Sequence, residues 1–267
     1  MQVYINIFGR QIPTYGLMIV IGILVANFIG AFIQKKNKRK FEDLLLIEAF
    51  CIAGGLTGAK ILYIIVEWKD IDWNIAFSSI ENFVQFLGAG FVFYGGLIGG
   101  LLTIFIADKI HKLDLGFYIY HYIFLIPLIH GFGRIGCFLA GCCYGIPYDG
   151  PLAVIFPEGS FAVHGVKLFP VQLVEAVFLM LIAIIVAVFT YAVKLKYNTE
   201  LYLILYAVLR FFLEDYRYDP ERGFYFGLST SKWISIFMFT AAVVSIIIRS
   251  RIKPKDPSPK IAEVAVE

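Results

Sequence analysis

The chain lacks the marks of several protein classes. It has only four cysteines in 267 residues, three of them in one cluster, so it holds no disulfide framework of the small secreted type. No internal repeat is visible, which argues against an inverted-repeat transporter. Basic residues gather at the ends of apolar stretches and form no stripe, so no nucleic acid partner is expected. The first residues show neither a basic leader nor a small-residue cleavage site, and no removable signal peptide is expected. Charge is sparse: 16% of residues are Asp, Glu, Lys or Arg, where a soluble domain carries about 25%.

What is abundant is apolar surface. The chain is 60% hydrophobic and 17% aromatic, with a mean hydropathy of +0.79. This composition reads as an all-α polytopic membrane protein. About seven stretches reach the ~20 residues a bilayer requires: 14–34, 43–66, 90–107, 116–139, 171–193, 199–216 and 231–248. Fourteen of the 23 Lys and Arg residues follow the first, third, fifth and seventh stretches, and six fall on the opposite side. The positive-inside rule then puts the N-terminus outside and the C-terminus in the cytoplasm.

Residues 1–248 are expected to form a single transmembrane domain, and 249–267, charged and proline-bearing, a disordered cytoplasmic tail. Residues 69–89 carry Trp73, Ala76, Phe77, Ile80, Phe83, Val84 and Leu87 at helical spacing, which predicts an amphipathic helix on the outer interface. Residues 146–170 are rich in Pro and Gly around the strand-like Leu152–Phe156 and predict a small extracytoplasmic cap.

Three cations fall within or at the ends of the apolar stretches: Lys60, Arg134 and Arg210. Glu175, Glu214 and Asp215 are available partners. Internal ion pairing with snorkelled stems is one reading, and a guanidinium fork gripping a phosphate is the other. Tyr206, Arg210 and Glu214 recur every four residues and Arg217 follows, which predicts one shared helix face. Glycines at 54, 55, 58, 95, 96, 99 and 100 predict close helix approach. Tyr94 lies among them, as a packed ring or as a base.

Cys137, Cys142 and Cys143 leave four readings open: apolar packing, a disulfide, an activated thiol and a soft-metal site with His130. The spacing fits no standard zinc pattern, because two ligands are adjacent and no second CxxC exists, so no metal is expected.

Six segments in order resemble the prolipoprotein diacylglyceryl transferase family of bacterial membranes. Tyr15-Gly16-Leu17-Met18 resembles its first-helix Tyr-Gly-Leu-Met. Gly55 through Lys60 resembles its small-residue segment ending in a basic residue. Phe93-Tyr94-Gly95-Gly96-Leu97-Ile98-Gly99 resembles its Phe-His-Gly-Gly-Leu-Ile-Gly. Gly133 through Gly145 resembles the signature Gly-Arg-x-Gly-Asn-Phe-x-Asn-Gly-Glu-x-x-Gly. Pro170 through Glu175 and Tyr206 through Arg217 resemble two further family motifs. Tyr94 replaces the family's His, and Cys137, Ala140 and Cys142 replace Asn, Asn and Glu.

The resemblance implies transfer of the diacylglyceryl group of phosphatidylglycerol to the lipobox cysteine of a prolipoprotein signal peptide, with glycerol phosphate as the product. It implies Arg134 and Arg210 on the phosphate and Tyr94 at the place of the base. Tyr15, Lys60, Cys137, Cys142, Gly145, Tyr206 and Glu214 would bind or shape the lipid headgroup site. It implies no metal or organic cofactor, membrane lipid as the surrounding partner, and a multi-pass location in the bacterial cytoplasmic membrane. Two alternatives share the fold: a transferase with another acceptor, and a non-catalytic lipid-binding protein.

The charge asymmetry makes a direct prediction. A fluorescent reporter fused after Arg251 should be bright in the cytoplasm, and a phosphatase that folds only outside should be inactive at the same position. The reverse pair of results would overturn the orientation.

Overall fold

A computed structural model describes residues 3–7, 9–218 and 223–251. Helix accounts for 69% of it, and the chain is an all-α polytopic membrane protein with three minor hairpins. In chain order the elements are β1 (Tyr4–Ile7), β2 (Arg10–Pro13), α1 (Thr14–Lys36), α2 (Phe41–Val66), α3 (Trp73–Ala76), α4 (Ile80–Gly88), α5 (Phe93–His111), α6 (Leu115–Tyr122) and α7 (Leu125–Ala140). There follow β3 (Val154–Ile155), β4 (Lys167–Leu168), α8 (Val171–Tyr191), α9 (Asn198–Leu213), a 3-10 turn (Glu214–Tyr216), β5 (Phe224–Tyr225), β6 (Leu228–Ser229) and α10 (Thr230–Arg251).

Helix covers some part of all seven expected stretches. By length and apolarity, four described helices qualify as spans: α1, α2, α8 and α10. Counting α6 with α7 as one interrupted span makes five. Helix α9 is only 16 residues long. Large apolar side chains such as Phe28, Phe32, Ile65 and Phe237 stand exposed on these helices, a pattern that suits contact with lipid tails.

The chain divides into two compact units: residues 27–121, and 1–26 with 122–267. In the first unit, α2 and α5 pack through their glycines. A Cβ added at Gly58 would sit 2.3 Å from the Gly95 carbonyl oxygen, and one at Gly99 would sit 2.2 Å from that of Gly54. No side chain fits there, so the expected close approach is present and backbone meets backbone. Thr103 Oγ1 seals the crossing by donating to the Phe50 carbonyl at 2.7 Å.

The expected single amphipathic helix over 69–89 is instead two short ones, α3 and α4. Asp72 accepts from the backbone N–H of Asn74 and Ile75, and Ser79 accepts from that of Asn82. Each is an N-cap, and two caps seven positions apart start two helices. Trp73 holds the pair together through rings of Phe77 and Phe86.

The second unit contains the hairpin β1–β2, the start of α1, helices α7 to α10 and the segment between α7 and α8. That segment, the expected cap, is built on β3 paired antiparallel to β4. The strand is shorter than Leu152–Phe156, because Leu152 takes a left-handed turn conformation at φ 65°. Phe156, Ala162 and Leu168 form its buried core. Helix α10 continues to Arg251, past the expected boundary at 248; the rest of the expected tail, 252–267, lies outside the described residues.

The α2–α5 crossing sets a test. Gly58→Ala should lower stability by about 1–3 kcal/mol, read as a drop in the thermal midpoint in detergent. Gly88→Ala has nothing within 4 Å of the new Cβ and should change stability by less than about 0.5 kcal/mol. Equal effects would refute the close-packing account.

Candidate functional site

The second unit brings three guanidiniums and two carboxylates together in its interior. Arg134 lies on α7 between glycines, but those glycines do not simply clear room around it. A Cβ at Gly136 would meet Tyr15 Cα at 3.0 Å, and one at Gly131 would meet Met180 Cε at 2.9 Å. They let α1 and α8 close on α7 and so wall the arginine in.

Glu175 of α8 is the facing carboxylate, with its side chain 1% exposed. Its Oε2 lies 2.9 Å from Arg134 Nε and 3.9 Å from Arg217 Nη1. The first approach is a charge contact without hydrogen-bond alignment. Arg134 Nε and both Glu175 oxygens have no hydrogen-bond partner among the described residues.

Arg210 of α9 pairs with Glu214 at 2.6 Å, one turn on. Its Nη2 also donates to Ser231 Oγ at 3.1 Å, and Ser229 Oγ donates to Glu214 Oε1 at 2.9 Å. Arg210 Nη1 is buried without a hydrogen-bond partner among the described residues. An unsatisfied buried donor costs about 1–3 kcal/mol, and more when charged, so this atom is a ready contact for an anion.

The expected single face of Tyr206, Arg210, Glu214 and Arg217 holds only for its first members. Helix α9 ends at Leu213, Glu214 opens the 3-10 turn, and Arg217 has extended backbone at φ −93°, ψ 136°. Arg217 is aimed by the cap, not by a helix. Gly145 bridges Arg217 as an antiparallel partner, and Tyr218 N–H donates to the Tyr144 carbonyl at 3.1 Å. A Cβ on Gly145 would sit 2.4 Å from the Phe169 carbonyl oxygen and 2.7 Å from that of Tyr216. Gly145 therefore shapes the site by letting three backbone segments meet.

Tyr206 packs its ring against His130 at 5.6 Å and lies within electrostatic reach of Glu175, Arg210, Arg134 and Arg217. Tyr15 is the second residue of α1 and is partly exposed. Beside Arg217, a cavity of about 240 Å³ is lined by Glu214, Asp215, Phe224, Gly227, Ser229 and Lys232.

Cys137, Cys142 and Cys143 are all free thiols at the end of α7. Cys142 also gives its carbonyl to Gln172 Nε2 at 2.8 Å, which ties the turn to α8.

The other unit carries Lys60 and Tyr94. The Lys60 ammonium donates to the carbonyls of Phe86 and, at 2.7 Å, Ala89. Its Nζ sits 3.8 Å from the centre of the Phe86 ring and 4.8 Å from that of Tyr63. These carbonyls end α4, where a cation is favoured by the helix dipole, so Lys60 anchors that helix. Tyr94 is the second residue of α5, with its side chain partly exposed.

Sequence reasoning named Glu175 only as a possible partner and Arg217 only as a member of a helix face, and it gave Gln172, Ser229 and Ser231 no role of their own. Gln172 and Glu175 stand three apart on α8, a spacing that already placed both on one side of an otherwise apolar helix.

Residues 2–248 match the prolipoprotein diacylglyceryl transferase family. Among curated relatives, phosphatidylglycerol–prolipoprotein diacylglyceryl transferase 2 of Clostridium perfringens is 37% identical, covering 90% of this chain and 91% of its own. The phosphatidylglycerol–prolipoprotein diacylglyceryl transferase of Clostridium tetani is also 37% identical, over 88% and 92%. That of Finegoldia magna is 30% identical, over 91% and 93%. With a family match over nearly its whole length and relatives of this similarity, the chain belongs to the prolipoprotein diacylglyceryl transferase family.

Proposed function

We infer that this chain transfers the diacylglyceryl group of phosphatidylglycerol to the cysteine thiol of a prolipoprotein. A carbon–sulfur bond forms, the carbon–oxygen bond to the phosphate breaks, and glycerol phosphate leaves while the thiol proton passes to a base. The relatives' names give no support to the two alternatives, a different acceptor or a non-catalytic lipid binder.

The observation that carries the reading is the pair of unsatisfied guanidinium nitrogens in the buried site. Arg134 Nε and Arg210 Nη1 are buried with no hydrogen-bond partner among the described residues. Two such donors beside the carboxylates of Glu175 and Glu214 suit one phosphate diester. The same guanidiniums favour the charge that grows on the leaving phosphate. Arg134 and Arg210 are assigned to the phosphate and Arg217 beside them. Tyr15, Tyr206, Glu214, Gly145, Cys137 and Cys142 shape the pocket, and Lys60 supports its own unit. Tyr94 is assigned as the base on its place in the family pattern alone.

The same reading takes residues 1–248 as one catalytic domain in the bacterial cytoplasmic membrane, crossing it seven times with the N-terminus outside. Residues 146–170 then cap the outer side, α3 and α4 lie at the outer interface, and the acceptor arrives as the signal peptide of the prolipoprotein. The family match over 2–248 and the fourteen basic residues on one side support this arrangement.

Labelled phosphatidylglycerol and a lipobox peptide, given to the purified chain, should yield a diacylglyceryl mass shift on the peptide cysteine. A peptide that stays unmodified would sink the function. Arg210→Lys keeps charge but loses the fork, and should cut turnover about 100-fold with little change in thermal midpoint. Tyr94→Phe removes one hydroxyl and should cost about 100-fold if that oxygen takes the proton; unchanged turnover would exclude Tyr94 as the base.

A further inference from the structure

The end of α7 gathers thiols in a way the chain spacing hides. Gly141 has φ +77°, its N–H donates to the Phe138 carbonyl, and the Cys142 N–H donates to the Cys137 carbonyl at 3.1 Å. This bond pair is the Schellman helix stop, in which the third residue before the cap and the second after it touch. Here those two contact positions are Cys137 and Cys142. Cys143 then takes a left-handed backbone at φ 55°, unusual for a residue with a Cβ, and brings a third sulfur round. The three Sγ atoms all lie within 4.8 Å of one another.

We propose that Cys137, Cys142 and Cys143 form a three-thiolate site for a soft d10 metal ion, of the Zn(II), Cd(II) or Cu(I) class. Three sulfurs bonded to one zinc at about 2.3 Å sit roughly 3.8–4.0 Å apart, within the span found here. Thiolate ligands select this class of ion. Adjacent cysteines argued against a metal only while a linear zinc motif was required; the helix stop supplies the convergence that the spacing lacks.

On binding a divalent ion, three metal–sulfur bonds form, three thiol protons leave, and nothing is oxidised or reduced. The resulting complex carries one negative charge. Arg217 and Arg134 act electrostatically on Cys143 and offset that charge. Cys137 is buried, Cys142 half-buried and Cys143 exposed, which gives an ion a way in. A fourth ligand position is left for water. The site stands on the thiol geometry and is independent of the transfer reaction.

The test uses the full chain in detergent, kept reduced, with all four thiols verified by titration. Cd(II) should give a saturable ultraviolet thiolate-to-metal charge-transfer band at one equivalent. Cys51→Ser, which alters the one cysteine outside the cluster, should leave it unchanged. Cys143→Ser should lower the band by about a third, as two of three thiolates remain, and weaken binding at least about tenfold. This exposed position keeps the test available should a triple serine variant fail to fold. No saturable band with four reduced thiols would overturn the proposal, and so would a band lost in Cys51→Ser. A disulfide among the three cysteines in protein isolated without oxygen would overturn it too.

Discussion

The second unit depends on one carboxylate. Glu175 is almost fully enclosed, and a single oxygen of it faces both Arg134 from α7 and Arg217 from the segment after α9. Two guanidiniums in a low-dielectric interior repel each other strongly, and each costs several kcal/mol to desolvate alone. The shared carboxylate makes their approach tolerable without cancelling their charge. It neutralises one positive charge of two, and neither its two oxygens nor Arg134 Nε has a hydrogen-bond partner among the described residues.

Arg217 shows how the irregular part of the chain serves the helical part. A helix presents side chains at fixed intervals, so Tyr206 and Arg210 can share a face, but the third cation must come from elsewhere. The chain leaves α9 through a 3-10 turn and enters extended backbone, where Gly145 receives it as a strand partner. The Ile146 N–H donates to the Tyr216 carbonyl, and the Phe169 N–H donates to the Ile146 carbonyl. These backbone bonds fix Arg217 from one side while Glu175 attracts it from the other. Its position follows from the packing of the cap, and the absent Cβ at Gly145 makes that packing possible.

Much of this was readable from the residues. Apolar stretches marked the helices, Gly54, Gly58, Gly95 and Gly99 marked a close crossing, and Arg134 and Arg210 stood out as cations in apolar surroundings. The break between α3 and α4 was not read, because helical spacing of the apolar residues runs through 69–89 while the N-caps Asp72 and Ser79 restart the helix. Other features had no local signal. The carbonyls at the end of α4 that Lys60 reaches lie far from it in the chain, and nothing near Lys60 announces them. The double role of Glu175 joins segments far apart in sequence, and helical periodicity placed Arg217 on a face that ends before it. Periodicity describes one element at a time, whereas these side chains are placed by contacts among several.

The signature turn joins both kinds of information. Gly141 sits where a helix stop needs a left-handed residue, and that need alone puts positions 137 and 142 in contact. The family pattern has Asn and Glu at those two positions, and this chain has Cys at both. The cysteine pair, joined by Cys143, makes that adjacency soft and thiol-rich. It also keeps Arg134, three residues before Cys137 on the same helix, next to the cluster. The side chains carried at 137 and 143 therefore set part of the electrostatic surroundings of Arg134.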